Sequence, residues 1–177
     1  MLAARYCFVE AISLFIVGDV VIYSGMGICK VCAIEKRNMT GRMIEYYILR
    51  HLYDDRNTYY IPVNDDALKK LHPVCTKQEV NSLISHMNSE KTMWIENEIK
   101  RKEEYSRIIR DADKRELMRL IKTLYLRRSE LIRCGRRMRA FDENLLKLAE
   151  DLLFDEFAYV LGIERNEVVD YIEKHIT

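Results

Sequence analysis

The stretch Phe15-Ile16-Val17-Gly18-Asp19-Val20-Val21-Ile22-Tyr23, followed by Ser24-Gly25-Met26-Gly27, decides the fold class. β-Branched and aromatic residues fill the run and a Ser/Gly cluster closes it, which reads as a strand ending in a tight turn. Outward from this strand the same pattern repeats. Ile28 to Glu35 is a second run, and Lys36-Arg37-Asn38-Met39-Thr40-Gly41 is a polar hairpin loop. Arg42 to Leu49 is a third strand carrying Tyr46 and Tyr47. After Asp54-Asp55-Arg56-Asn57 comes a fourth, Thr58 to Val63. Pro62 cannot donate to a ladder, so this strand belongs at an edge. Short strands joined by tight turns, with no helices between them, predict a small antiparallel β-barrel.

From Thr76 the period changes from two to about 3.6. Thr76-Lys77-Gln78-Glu79 is a capping box that opens a helix running to about Met87. Asn88-Ser89-Glu90-Lys91 is the linker candidate, and Thr92 to about Arg110 reads as one long polar helix that begins just before Trp94. Asp113-Lys114-Arg115-Glu116 is a second capping box, leading a helix with Leu117, Leu120, Ile121 and Leu124 on one face. Asp142 is the expected cap of a further helix that stops at Gly162, and Val168 to Ile172 lies on a last short one. The fold class is therefore α+β, a β half followed by an all-helical bundle. The expected divisions are an extension over 1–13, a β domain over 14–75 and a helical domain over 76–177.

Bulk properties exclude several classes of function. Of 177 residues, 49% are hydrophobic and 32% charged, and with 6 Gly and 2 Pro there is little room for long disordered linkers. No uninterrupted apolar run reaches the roughly 18–20 residues of a membrane span. The apolar N-terminus is interrupted by Glu10 and lacks a small-x-small cleavage site. It reads as a short, loosely docked or mobile extension of a cytoplasmic protein. Five cysteines at irregular spacing point to reduced thiols rather than a disulfide framework.

Cys29-Lys30-Val31-Cys32 is a CxxC without a second ligand pair, and in an extended strand its two thiols face opposite ways. Packed thiols are the expectation, with a zinc or redox site as the rival reading. No nucleophile elbow, phosphate loop or HExxH occurs, so neither an enzyme nor a cofactor, metal or small-molecule substrate is expected.

Charge is more informative once divided. The net of +1 conceals a block over 92–139 with 15 Lys+Arg against 8 Asp+Glu, and an acidic tail over 140–177 with 3 against 10. Arg127 to Arg139 has Glu130 as its one acidic residue, which favours a phosphate-gripping face over a solvated one. A lone tryptophan is ordinarily core. Trp94 has polar flanks in Glu90-Lys91-Thr92 and Glu96-Asn97-Glu98, which would suit an exposed aromatic beside a basic helix.

The text FIVGDVVIYSGMGICKVCAIE, then EYYIL, then TYYIPVN resembles the RNA-polymerase-interacting domain shared by CarD/CdnL-type transcription regulators and the transcription-repair coupling factor. Gly18-Asp19, Tyr23, Gly25-x-Gly27, Tyr46-Tyr47-x-Leu49 and Ile61-Pro62-Val63 carry the likeness. It extends through Trp94 and the helices at Glu116-Leu117 and Leu145 to Leu161. With no helicase motifs following, the CarD/CdnL type is the nearer one.

The resemblance implies a Tudor/SH3-like β-barrel that binds the β-subunit lobe of bacterial RNA polymerase through Arg37, Tyr47, Arg50 and Tyr60. It also implies a helical domain that touches promoter DNA at the upstream edge of the transcription bubble. Trp94 would be a minor-groove wedge, with Lys100, Arg101, Arg137, Arg139 and Lys147 on phosphates. Glu96 and Glu98 intrude where such proteins carry basic residues, which implies weak, polymerase-dependent DNA contact. The alternative is a polymerase- or protein-binding adaptor that never engages DNA.

Overall fold

The computed structural model describes residues 15–38, 41–54 and 56–176. The N-terminal extension, Met39 and Thr40 of the hairpin loop, and Asp55 therefore lie outside the described residues. The β half contains β1 (Val20–Tyr23), β2 (Gly27–Asn38), β3 (Met43–His51), β4 (Thr58–Pro62) and β5 (Leu71–Pro73), with the single-turn helix α1 (Asp65–Leu68) before the last strand. The strands pair antiparallel in the order β4-β3-β2-β1-β5, so Pro62 does stand on an edge strand. Among the described residues β4 and β5 do not pair with each other, and the expected barrel is a loose, unclosed one. Neither α1 nor β5 is expected from the sequence, both being too short to show a period.

Alternation along β2 sets the core. Cys29 and Val31 point inward with Val21, Tyr47, Leu49, Ile61 and Leu71, while Lys30 and Cys32 point outward. The two thiols of the CxxC thus occupy opposite faces, and burial pushes the Cys29 thiol up to about 12. A bulge between Val31 and Ala33 shifts the register of β2 against β3. Ile22 and Ile28 are buried on the opposite face from Val21, where the longest helix among the described residues crosses β2.

The helical half comprises α2 (Lys77–His86), α3 (Glu98–Asp111), α4 (Lys114–Arg133), α5 (Ala140–Leu161) and α6 (Val168–His175). Thr76 and Glu79 form the anticipated capping box. Asp113 caps α4 by accepting from the Glu116 N–H at 2.9 Å. Leu117, Leu120, Ile121 and Leu124 are buried along one face of α4. Gly162 ends α5 at φ 71°, a left-handed conformation that suits glycine.

Helix α5 is central. Leu145, Leu146, Ala149, Leu153, Phe154, Phe157 and Ala158 leave it little polar face, and it touches α2, α3, α4, α6 and β2. Three expectations need correction. Helix α3 starts at Glu98 rather than Thr92, because Asn97 caps it by accepting from the Lys100 N–H at 3.0 Å. Asp142 is the third residue of α5 and not its cap, its carboxylate being taken by Arg101. Residues 88–91 are not a free linker, since side chains of α4 bind their carbonyls.

The two halves are joined through buried charge. Glu156 on α5, 1% exposed, accepts from the Cys75 backbone N–H and from Lys114 Nζ, both at 2.7 Å. Gly27 lets the β1–β2 hairpin approach α5: a Cβ there would lie 3.3 Å from His51 Nε2 and 3.7 Å from Leu152. Glu156→Ala would strand the Lys114 ammonium and the Cys75 N–H at this junction. The expected loss of stability is about 3–5 kcal/mol, read from urea unfolding at neutral pH; a loss below about 0.5 kcal/mol, the scale of an ordinary surface change, would show that the junction does not depend on this carboxylate.

Candidate functional site: the Trp94 loop and the arginine face

Residues 87–97 cross the helical domain without regular structure, held by side-chain bonds. Lys122 Nζ donates to the carbonyls of Met87 (2.8 Å), Asn88 (3.0 Å) and Glu90 (2.8 Å). The Glu90 carboxylate pairs with Arg115 and with Arg119. The Met93 N–H donates to Thr123 Oγ1 at 3.0 Å, and Tyr105 donates its hydroxyl to the Met93 carbonyl at 2.9 Å. Burial pushes the Tyr105 phenol up to about 12, which keeps it a donor throughout the physiological range.

Trp94 therefore sits on an irregular segment before α3 and is half-buried against the helical core. The freely exposed ring at a helix start is corrected on both counts. The guanidinium of Arg101 lies over the ring at 4.4 Å from its centroid and that of Arg127 at 4.8 Å. Trp94 Nε1 and Arg127 Nε are buried without a hydrogen-bond partner among the described residues.

Arg101 itself is 4% exposed. It donates to both oxygens of Asp142 at 3.1 and 3.3 Å and to the carbonyls of Ile95 and Glu96 at 2.8 and 3.3 Å. Four of its five N–H donors are engaged in this way, and the enclosed guanidinium offers no open face to a phosphate. Its expected role in DNA contact is corrected: it positions Trp94 and ties α3 to α5.

The remaining expected DNA contacts are partly gathered. Lys100 is exposed in the first turn of α3. Arg139 is exposed but pairs with Glu98, which brings it beside that same turn. Arg137 is exposed two residues earlier, and Lys147 is exposed further along α5. The structure adds to these an arginine face. Arg133 and Arg136 are exposed with Arg137 at the end of α4 and in the following loop, with no ion pair to a described carboxylate. Arg127, one to two turns earlier, leads from this face to the Trp94 ring. The signal for it in the sequence is the near absence of acidic residues from Arg127 to Arg139. Elsewhere much of the basic block is spent internally: Arg107 pairs with Glu104, Asp111 and Glu116, and Lys102 with Glu98.

On the β domain, Arg37 binds Glu35 through Nε at 3.0 Å and lies 4.6 Å over the Tyr60 ring, itself 43% exposed. These two form one surface feature, and Arg50 is exposed on β3. Tyr47 is not part of it. It is fully buried in the β core and its hydroxyl accepts from the Phe15 N–H at 3.1 Å, so it is corrected from a surface contact to a packing residue.

Because Trp94 is the one tryptophan, its emission reports on the loop. Lys122→Met would release three carbonyls at once, a loss of about 1.5–3 kcal/mol of charge-assisted bonding. Acrylamide should then quench Trp94 more strongly than in the parent protein while far-ultraviolet circular dichroism is unchanged. Unaltered quenching would mean that the loop is held without Lys122.

Comparison of the chain with curated proteins finds no match. The family model of the CarD-like/TRCF RID domain matches residues 15–75, the span that holds β1 to β5 and the Arg37–Tyr60 feature. The helical domain lies beyond that match. The chain thus carries a CarD-like/TRCF RID domain, the polymerase-interacting module of transcription-related proteins, as its β half.

Proposed function

We propose that this protein is a non-enzymatic transcription regulator that docks its β domain on the β-subunit lobe of bacterial RNA polymerase and stabilises the promoter open complex. The observation that carries the reading is the polymerase-interacting domain followed by a rigid Trp94 platform next to unpaired arginines. Arg37 and Tyr60, with Arg50, are the proposed polymerase contacts. Arg133, Arg136 and Arg137, with Lys100 and Lys147, are proposed to lie on phosphates at the upstream edge of the bubble with little base readout. Trp94 meets the distorted minor groove with its partly uncovered ring, held in one pose by Arg101.

Much of the basic block is neutralised within the fold, so free DNA would be bound weakly. Tethering to polymerase supplies the missing affinity as effective concentration. Each contact acts only through its preference for the open over the closed state; equal affinity for both would shift nothing. The same internal neutralisation favours a second reading, a polymerase-bound adaptor that leaves DNA alone.

Trp94→Ala separates the two. Open-complex lifetime, followed by filter retention after a competitor challenge, should shorten several-fold while co-purification with polymerase is retained. An unchanged lifetime would remove the wedge and leave the adaptor.

A further inference from the structure

A cleft of about 590 Å³ opens between the two halves, on residues that the proposed polymerase and DNA contacts do not use. Its chemistry is unlike that of the arginine face. Met26 from the β1–β2 turn (46% exposed), Tyr53 after β3 (55%) and Leu148 on α5 (49%) all line it. Three large apolar side chains are left in water around one cleft, contributed by both domains, a composition that suits a protein-docking surface.

The charge in the cleft is acidic. Asp54, Asp151, Asp155 and Glu164 line it, against one lining cation of fixed charge, Arg165. Arg165 is committed to Asp151 and Asp155 together. Asp54 pairs outward with Arg56 at 2.7 Å. Glu164 is exposed, makes no ion pair with a described residue, and caps the turn before α6. The surplus of negative charge is felt locally: burial, then Asp155 and Glu164, push the Tyr53 phenol upward. A phosphate backbone would be repelled here, so nucleic acid is not the occupant.

We infer that this interdomain cleft is a docking site for a polypeptide segment that carries an apolar side chain next to arginine or lysine. The apolar side chain would settle among Met26, Tyr53 and Leu148, with its basic neighbour at Glu164 and over the Tyr53 ring. The site is independent of the Arg37–Tyr60 feature and of DNA contact. A protein with a basic face, an RID domain and a separate acidic cleft could thereby hold a second protein while bound to polymerase.

The test uses the full chain and two fluorescein-labelled twelve-residue synthetic probes, one alternating Leu with Arg and one alternating Leu with Glu, followed by anisotropy. Binding of the Leu/Arg probe alone is expected. Glu164→Gln, which keeps the cap, and Leu148→Ser should each weaken it, by about tenfold, a difference of about 1.4 kcal/mol. Glu143→Gln, an exposed carboxylate outside the cleft, should leave it unchanged. Failure of the Leu/Arg probe to bind, equal binding of both probes, or an equal loss in Glu143→Gln would overturn the inference. So would a dimer in sedimentation that Glu164→Gln dissolves, which would make the chain's own basic face the occupant.

Discussion

Arg101 is a charge enclosed by protein, and it can be so only because Asp142 meets it with both oxygens and the carbonyls of Ile95 and Glu96 take further donors. Removing either partner would leave a buried charge uncompensated, which costs far more than the pair contributes when intact. The constraint reaches in three directions. It binds the start of α5 to α3, fixes the chain on either side of residue 96, and lays a guanidinium over Trp94. The ring is thereby oriented before any partner arrives, which lowers the cost of ordering it on binding.

The same use of paired charge recurs at the domain junction, where Glu156 holds Lys114 and Cys75, and at the loop, where Glu90 holds Arg115 and Arg119. Part of the basic excess of residues 92–139 is thus structural. Of the exposed cations of this block with no ion pair to a described carboxylate, Lys100 and Arg110 lie on α3, and Arg133, Arg136 and Arg137 cluster at the end of α4. The acidic tail of the sequence behaves in parallel: Asp142, Asp155 and Glu156 are buried in pairs, while Glu164 remains outward. Division of charge along the chain becomes division of faces on the molecule.

Much of the architecture is legible from period and punctuation. Alternation in β2, the Thr76–Glu79 box, the buried face of α4 and the Gly162 stop all arise from local preferences that the structure obeys. Expectation and structure part where tertiary bonds override local signals. Thr92 to Glu96 has helix-compatible residues, yet the segment is not helical because Thr123 and Tyr105 take its backbone groups and Asn97 offers a better cap. Residue type alone would put Arg101 on the surface, and the family resemblance would put Tyr47 there. Their burial follows from partners 41 and 32 residues away, Asp142 and Phe15, which spacing does not pair. The role of Lys122 is hidden for the same reason, its three acceptors being backbone carbonyls that carry no sequence signal.

Whether the arginine face touches DNA is most directly read from the salt dependence of polymerase-dependent retention on fork-junction promoter DNA. The parent chain and an Arg133→Ala/Arg136→Ala/Arg137→Ala variant would be compared across ionic strength, with polymerase alone as the baseline. If the three arginines lie on phosphates, the slope of log affinity against log salt should be shallower in the variant by up to about 3, close to one for each phosphate no longer neutralised. Identical slopes for parent and variant would place this face away from the phosphates and contradict the DNA-holding role.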